Sequence, residues 1–304
     1  MTSKRIASIF RSGSRTYFYS SVFFPPDVRR DVFALYAFVR VADDLVDRVP
    51  PDEPGFEALV ARYRKAMTGA ATGDEVVDGF VELATRRGFR PEWTESFLDA
   101  MRQDIRPHAY ATIADVEQYM YGSAEVVGLF MARILGLPAK SYPSARRLGT
   151  AMQYVNFLRD VDEDHKLGRT YIPGEVLDRF GLERPSHDVA VAQPDRFEAL
   201  MRDEIGRYRR WQAEAETGYP YLPLRYRIPI QTAADMYKWT ATTIESDPLV
   251  VFQRKIRPSV PRLLAGVARN AAAGVSLSLA QAAPVRGLRR SAAAVTALLR
   301  SSAR

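Results

Sequence analysis

Apolar residues recur at helical spacing through most of the chain. In the first clear stretch, four of them stand at i, i+3, i+4 and i+7, namely Val32, Leu35, Tyr36 and Val39. Prolines at positions 25 and 26 precede this stretch, and proline suits the first turn of a helix. The pattern therefore predicts an amphipathic helix. The alternation of apolar and polar residues that is typical of strands is almost absent.

The same period returns along much of the chain. Seven further helical segments are predicted, at Phe56–Met67, Val76–Ala84, Thr94–Met101, Ile113–Leu135, Ala145–Val161, Phe197–Ala215 and Ile230–Ile244. Proline and glycine separate these segments, and no internal repeat or Gly/Ser linker interrupts the first 260 residues. We therefore predict an all-α fold with one domain over residues 1–265, followed by a tail over residues 266–304.

The composition excludes several classes of protein. Of 304 residues, 47% are apolar, which is enough for a sizeable core, and none is cysteine. Disulfides, thiolate metal centres and a cysteine nucleophile are thereby excluded, which favours a cytoplasmic protein. The three histidines have no metal-ligand spacing, and neither a GxGxxG nor a GxxxxGKS/T motif occurs. No secretory signal is recognisable, and no stretch of about 20 strongly apolar residues is present.

The net charge of +7 is concentrated at the C-terminus. Residues 254–304 contain ten Lys and Arg and no Asp or Glu, so the rest of the chain is slightly acidic. A basic groove interleaved with aromatic residues is missing, and we expect no nucleic-acid partner. Two interpretations of the tail stay open. It is a solvated, partly disordered end, or its apolar residues line a helix that contacts the inner face of the membrane, these being Leu288, Val295, Leu298 and Leu299.

The first chemical signal is an acidic cluster that ends the first predicted helix. Asp43 and Asp47 are four residues apart, so a helix places them on one face, with Arg40 one turn before Asp43. Like charges at this spacing destabilise a helix by about 0.2–0.5 kcal/mol. A bound cation or exposure to water would offset that repulsion. Alone, the cluster is equally consistent with a solvated acidic helix end.

A second group of polar residues, a polar stripe, favours a bound cation over a solvated helix end. Asn156, Asp160 and Asp164 follow at i, i+4 and i+8, and Gln153 precedes Asp160 by seven residues. The same segment has an apolar face, so the stripe is expected to lie partly inside a packed layer. Burial of two unpaired carboxylates costs several kcal/mol each, so a counter-ion is required. Oxygen ligands without His or Cys point to Mg²⁺ bridging carboxylates and substrate phosphates.

These acidic segments resemble the two aspartate-rich motifs of the squalene/phytoene synthase family. The sequence that carries the likeness is VRVADDLVD at 39–47 and NFLRDVDED at 156–164, followed by GRTYIP at 168–173. The likeness extends to SRTY at 14–17, YGSAEVVG at 121–128 and DMY at 235–237, and so covers most of residues 13–257. The segments YGSAEVVGL and DPLVVFQRKIRPS resemble the phytoene synthase branch of the family more than the squalene synthase branch. Glu125 stands where many members have glycine.

The resemblance implies an isoprenoid-synthase helical bundle around a central cavity. It implies head-to-head condensation of two allylic prenyl diphosphates, both of them geranylgeranyl diphosphate. The product would be phytoene, formed through a cyclopropylcarbinyl diphosphate. Mg²⁺, or Mn²⁺ in its place, would be the cofactor, and no nicotinamide is expected. The implied metal ligands are Asp43, Asp47, Asn156, Asp160 and Asp164. The implied catalytic residues are the four aspartates with Tyr121 and Tyr237. The implied substrate-binding residues are Ser14, Arg15, Thr16, Arg40, Gln153, Asn156, Arg159, Arg169, Tyr171 and Arg254.

Two alternative functions and the oligomeric state remain open from the sequence. A related enzyme would use C15 substrates and form squalene or dehydrosqualene, with or without NADPH. A family member of another class would be non-catalytic and act as an assembly or scaffold protein, although both aspartate pairs and the neighbouring arginines are intact. The chain is either a monomer or a dimer.

Overall fold

The computed structural model describes residues 5–6, 8–9, 21 and 24–273. From residue 24 onward the described chain is almost entirely helical. The helices are α1 (Pro26–Val46), α2 (Glu53–Met67), α3 (Glu75–Arg87), α4 (Pro91–Gln103), α5 (Ile113–Met120), α6 (Val126–Ile134), α7 (Tyr142–Arg159), α8 (Val161–Lys166), α9 (Gly174–Phe180), α10 (His187–Ala192), α11 (Pro194–Glu216), α12 (Leu224–Ser246), α13 (Val250–Gln253) and α14 over residues 260–273. The all-α prediction is confirmed.

Local chemistry explains where several helices begin and end. The Asp74 side chain caps α3 by accepting hydrogen bonds from the backbone N–H groups of Val76 and Val77. Gly88 ends the same helix with φ of +63°, in the left-handed region that favours glycine. Thr112 and Asp115 form a reciprocal capping box at the start of α5. These capping residues fix the helix boundaries that periodicity alone leaves open.

Helix α7 lies at the centre of the bundle. It packs most extensively against α11 and α6, and it also contacts α5 and α12. Close approach depends on small residues, because a Cβ on Gly149 would lie 2.4 Å from the carbonyl oxygen of Ala124. A Cβ on Gly128 would likewise lie 2.2 Å from the carbonyl oxygen of Ala145. Two glycines thus allow α6 and α7 to pack with their backbones almost in contact.

Two predicted helices are interrupted at the positions that matter for chemistry. The predicted segment Ile113–Leu135 contains a π-helical turn at Tyr121–Glu125 between α5 and α6. The predicted segment Ala145–Val161 ends at Arg159, because Asp160 leaves the helical region with φ of −99° and ψ of 15°. The helix is therefore interrupted within the predicted polar stripe, although the backbone N–H of Asp160 still donates to the Asn156 carbonyl at 2.8 Å and that of Asp164 to the Asp160 carbonyl at 2.9 Å.

A short parallel strand pair was not predicted. Strand β1 (His108–Ala109) pairs with β2 (Arg169–Thr170), with His108 opposite Arg169. Two residues per strand are too few to show an alternating pattern in the sequence. The pair joins the segment after α4 to the segment after α8, and so brings residues that follow the second acidic cluster beside the end of α4.

The described chain continues past the predicted domain boundary. Helix α14 runs through residue 265, and Asn270 donates hydrogen bonds to Thr232 Oγ1 at 3.1 Å and Asp235 Oδ2 at 3.0 Å on α12. The folded part therefore extends at least to residue 273. The rest of the predicted tail, residues 274–304, lies outside the described residues. Within the described part of the chain, no helix is both long enough and apolar enough to span a membrane.

Candidate active site

A cavity of about 320 Å³ lies between α1, the π-helical turn with α6, α7 and α12. One face of α7 lines most of its length, and the contributing residues are Ser144, Ala145, Leu148, Gly149, Met152, Gln153 and Asn156, with Ser141 just before the helix. These positions recur every three or four residues, as one face of a helix requires. The lining is apolar over most of its length and becomes polar at Gln153 and Asn156, where α7 approaches the acidic clusters.

The first acidic cluster lies in the last turns of α1. Arg40 Nη1 donates to Asp43 Oδ2 at 3.0 Å, and Arg40 Nη2 also pairs with Asp44. Burial raises the pKa of the Asp43 carboxyl to about 7, and the nearby negative charge of Asp47 adds to this shift against the opposing effect of Arg40. The unfavourable charge of Asp47 on Asp43 agrees with their spacing on one helical face.

The second cluster lies where α7 passes into α8. Arg159 Nε donates to Asp160 Oδ1 at 2.8 Å. Burial raises the pKa of the Asp164 carboxyl to about 8, with a further contribution from the charge of Asp160. Asp162 belongs to the same short helix but points elsewhere and pairs with Lys166 at 2.6 Å. Asp160 and Asp164 are thus distinguished from their acidic neighbour by their position.

The two clusters converge through Arg169 on β2. Its Nη1 donates to Asp47 Oδ1 at 2.6 Å, which joins the first cluster to the strand that follows the second. The charge of Asp47 contributes to the raised pKa values of both Asp43 and Asp164. Asp47 is therefore close to carboxylates from both stretches. The sequence predicted that these stretches need each other, and the structure brings them to one place.

A further carboxylate, which no sequence pattern indicated, lies behind this site. Asp104 follows α4, is only 5% exposed, and accepts hydrogen bonds from the Tyr119 hydroxyl at 2.7 Å and the Tyr171 hydroxyl at 2.8 Å. Burial raises the pKa of Asp104, while these hydrogen bonds and the charge of Arg169 oppose the rise. Asp104 stands alone among non-acidic neighbours in the sequence, so no local pattern indicates it.

The other predicted site residues are found in several places. Gln153, Asn156 and Tyr237 line the cavity. Tyr171 is buried and stacks on Phe157, with ring centroids 4.0 Å apart. The Arg254 side chain is exposed just after α13. Ser14, Arg15 and Thr16 lie outside the described residues.

Tyr121 is the predicted catalytic residue that the geometry supports least. Its ring lies below the Arg146 guanidinium, 5.2 Å from ring centroid to Cζ, and it is absent from the described cavity lining. Arg146 in turn donates to the buried Glu125 carboxylate at 2.7 Å, and the Thr150 hydroxyl donates to the same carboxylate. Glu125 is therefore held between the π-helical turn and α7, away from the cavity. A role of Tyr121 stays a prediction.

Two cavity residues were missed at the sequence level. Tyr36 on α1 lines the cavity beside the first cluster, and burial raises the pKa of its hydroxyl above the ordinary value. Ser123 on the π-helical turn lines it as well, and its Oγ is buried without a hydrogen-bond partner. Both belong to apolar or small-residue patterns that predicted packing, so their polar atoms gave no separate signal.

The donor atoms of the site suit a hard divalent cation. Carboxylate oxygens from two stretches converge, and Asn156 Oδ1 beside them is buried without a hydrogen-bond partner. Oxygen ligands alone are typical of Mg²⁺ and Mn²⁺. In the part of the chain that the structure describes, no three Asp, Glu or His side chains form a ready-made metal cluster. Instead, Arg40, Arg159 and Arg169 each hold one of the carboxylates.

Comparisons with known proteins agree with the fold and with the motifs. The family model described as squalene/phytoene synthase matches residues 10–263. The chain is 30% identical to a 15-cis-phytoene synthase from Synechocystis sp. over 267 residues, covering 83% of this chain and 79% of that protein. It is 30% identical to the 15-cis-phytoene synthase of Pantoea ananas over 272 residues, covering 83% and 85%.

Solved structures give the same picture. A dehydrosqualene synthase in complex with a ligand superposes with a TM-score of 0.78 at 25% identity, covering 90% of this chain and 96% of that one. A squalene synthase from Alicyclobacillus acidocaldarius superposes with a TM-score of 0.70 at 24% identity, covering 80% and 92%. The bundle is therefore the isoprenoid-synthase fold.

Proposed function

The chain belongs to the squalene/phytoene synthase family of prenyltransferases, and from that premise we propose that it condenses two geranylgeranyl diphosphates head to head to form phytoene. The curated relatives at 30% identity are named 15-cis-phytoene synthases. Their names support a C20 substrate. The cavity supports it independently, through its length.

The length of the cavity is the observation that carries the proposal. The lining face of α7 runs from Asn156 to Ser144, twelve residues apart, or about 18 Å at 1.5 Å per residue. An extended chain gains about 3.5 Å for every three bonds. On that scale a C20 prenyl chain, with fifteen bonds along its backbone, spans roughly 18 Å and a C15 chain roughly 13 Å. The cavity is long enough for the C20 chain to lie extended.

The acidic end would hold the diphosphates. Asp43, Asp47, Asp160, Asp164 and Asn156 would bind Mg²⁺, which when bound neutralises the diphosphate oxygens that leave. The guanidinium groups of the clusters would bind the same oxygens by charge-assisted hydrogen bonds, and these groups are Arg40, Arg159 and Arg169. Asn156 lines the polar end of the cavity, and the acidic clusters follow where α7 ends, so the prenyl chains would extend from there into the apolar length of the cavity.

The apolar length would protect the carbocations. Loss of one diphosphate gives an allylic cation, which the double bond of the second substrate captures, with loss of a proton, to form the cyclopropylcarbinyl diphosphate. Loss of the second diphosphate, rearrangement and loss of a second proton complete the product. Tyr36 and Tyr237 line the cavity next to the acidic end, where their ring faces would stabilise a cation. The apolar lining excludes water that would otherwise quench each cation.

A C15 substrate is the second candidate. It is favoured by the superposition on a dehydrosqualene synthase at 25% identity. The discriminating experiment offers the C15 and C20 diphosphates separately, each with and without NADPH, and identifies the product by mass. A C30 hydrocarbon from the C15 substrate alone would establish this candidate.

Substitution of single carboxylates tests the proposed chemistry. We expect Asp43→Ala and Asp160→Ala to abolish Mg²⁺-dependent diphosphate release, while the far-UV circular dichroism spectrum remains helical. Asp162→Ala is the matched control, since Asp162 lies between Asp160 and Asp164 in sequence but pairs with Lys166. It should retain activity close to that of the unmodified protein. Undiminished release by either of the first two variants would refute the assignment.

A further inference from the structure

Arg169 is a buried cation that must always have a counter-charge. Its side chain is only 6% exposed. Nη1 donates to Asp47, and Nη2 donates to two backbone carbonyl oxygens, that of Val46 at 2.8 Å and that of Asp104 at 2.7 Å. A buried guanidinium left without a negative partner costs several kcal/mol. The neutral carbonyls orient the group but do not balance its charge.

Two acidic residues contact this group, Asp47 through its carboxylate and Asp104 through its backbone carbonyl oxygen, which places the Asp104 carboxylate nearby. Burial lowers the pKa of the Arg169 guanidinium, but the hydrogen bond to Asp47 and the nearby Asp104 carboxylate outweigh that effect and raise it. The Asp47 side chain is 39% exposed and faces the site. Asp104 is buried and held in place by the Tyr119 and Tyr171 hydroxyls, with His108 Nε2 3.5 Å from its Oδ1. One carboxylate thus faces the ligand side, and the other is fixed behind Arg169.

In the proposed function, Asp47 binds a divalent cation, whereas in the structure it pairs with Arg169. If Asp47 binds a divalent cation, Arg169 loses the carboxylate that it contacts directly among the described residues, and another negative charge must balance it. We propose that Asp104 is a positioning residue that acts through Arg169: it supplies the permanent counter-charge of this buried guanidinium and so frees Asp47 to bind the cation. This inference rests on the proposed function.

A purely structural role is the competing explanation for Asp104. Its carboxylate joins α4 to Tyr119 of α5 and to Tyr171 after β2, and this alone would stabilise the fold. Such a role predicts a lower melting temperature and no specific effect on metal affinity. The counter-charge role predicts weaker metal binding that depends on the presence of Arg169.

Binding of Mn²⁺ without substrate distinguishes the two roles. Free Mn²⁺ is measured by electron paramagnetic resonance in titrations of the full chain. We expect Asp104→Asn to weaken Mn²⁺ binding about tenfold or more, because Asp47 is then retained by Arg169. Asp31→Asn is the matched control. Asp31 is equally buried, but its carboxylate is held by Arg86 and Arg87 between α1 and α3. It should lower stability and leave Mn²⁺ affinity unchanged.

A double-variant cycle tests the dependence on Arg169. Arg169→Met removes the buried charge and should strengthen Mn²⁺ binding, since Asp47 loses its competitor. In that background, the addition of Asp104→Asn should have no further effect. If Asp104→Asn alone fails to fold, Arg169→Met still decides, since weaker Mn²⁺ binding by this variant would overturn the inference. An Asp104→Asn protein that binds Mn²⁺ as tightly as the unmodified chain would also overturn it.

Failure of the inference can be separated from failure of the proposed function. If the unmodified chain binds Mn²⁺ and converts prenyl diphosphates, but Asp104→Asn does not change the affinity, only the inference is wrong. If the unmodified chain neither binds Mn²⁺ nor releases diphosphate, the proposed function is wrong, and the inference fails with it.

Discussion

Blocking the far end of the cavity should change the length of the preferred substrate. Ala145 lines the cavity on α7, eleven residues from Asn156, which is about 16 Å along the helix. Long side chains on a helix lean toward its N-terminus, so the ring of an Ala145→Phe variant would fill the cavity beyond this point. The remaining length accommodates a C15 chain of roughly 13 Å but not a C20 chain of roughly 18 Å.

The size of the effect follows from the buried carbon that is lost. The last isoprene unit contributes five carbons, and at about 0.8 kcal/mol for each buried carbon its full burial is worth up to about 4 kcal/mol. Preference for C20 over C15, as the ratio of kcat/KM values, should therefore fall by up to roughly 700-fold. The assay is release of diphosphate from each substrate at saturating Mg²⁺, with product masses as confirmation.

A control near the mouth of the cavity isolates the effect of length. Met152→Phe enlarges a lining residue four positions from Asn156, so it should affect C15 and C20 substrates to the same extent. A ratio for Ala145→Phe within twofold of the unmodified protein would refute the argument that α7 measures the chain. Equal loss of both substrates, with the fold intact, would refute it as well.

Three further predictions concern the frame around the site and the tail. Gly149→Ala should destabilise the fold by about 1–3 kcal/mol, because its Cβ would meet a backbone carbonyl oxygen at 2.4 Å. Gly79→Ala, in a helix with open space around it, should instead stabilise it by about 0.5–1 kcal/mol; thermal unfolding of both variants checks the pair, and equal shifts would contradict the packing argument. Asn270→Ala should cost about 1–3 kcal/mol through two lost hydrogen bonds to α12, and an unchanged melting temperature would exclude a packed α14. Flotation with anionic liposomes decides between the two interpretations of the tail: loss of flotation on removal of residues 274–304 would establish a membrane anchor, and equal flotation of both proteins would exclude it.

The sequence predicted most helices and both acidic clusters because these features are local. A helix turns every 3.6 residues, so spacing alone places Asp43 and Asp47 on one face and reveals the apolar face of α7. The requirement for a counter-ion also follows locally, from carboxylates beside an apolar face. Periodicity cannot show where a regular helix ends, and for that reason it missed the departure of Asp160 from α7.

The missed residues depend on contacts between distant parts of the chain. Asp104 is joined to Tyr171, which lies 67 positions later, and the carbonyl of Asp104 contacts Arg169. Strands of two residues bring these partners together, and such strands leave no pattern in the sequence. The sequence identified Arg169 only through the family resemblance, and it gave no indication of the carboxylate behind it. Residues that hold a site in place are, in this protein, harder to predict than residues that face the ligand.

The proposed function implies one reaction product, and the mass of that product is the most direct test. Purified full-length protein is incubated with geranylgeranyl diphosphate and MgCl₂, and the extracted lipids are analysed by mass spectrometry. We expect a C40 hydrocarbon with the mass of phytoene, formed only when the divalent ion is present. Absence of any hydrocarbon, or an equal yield in the presence of excess chelator, would contradict it.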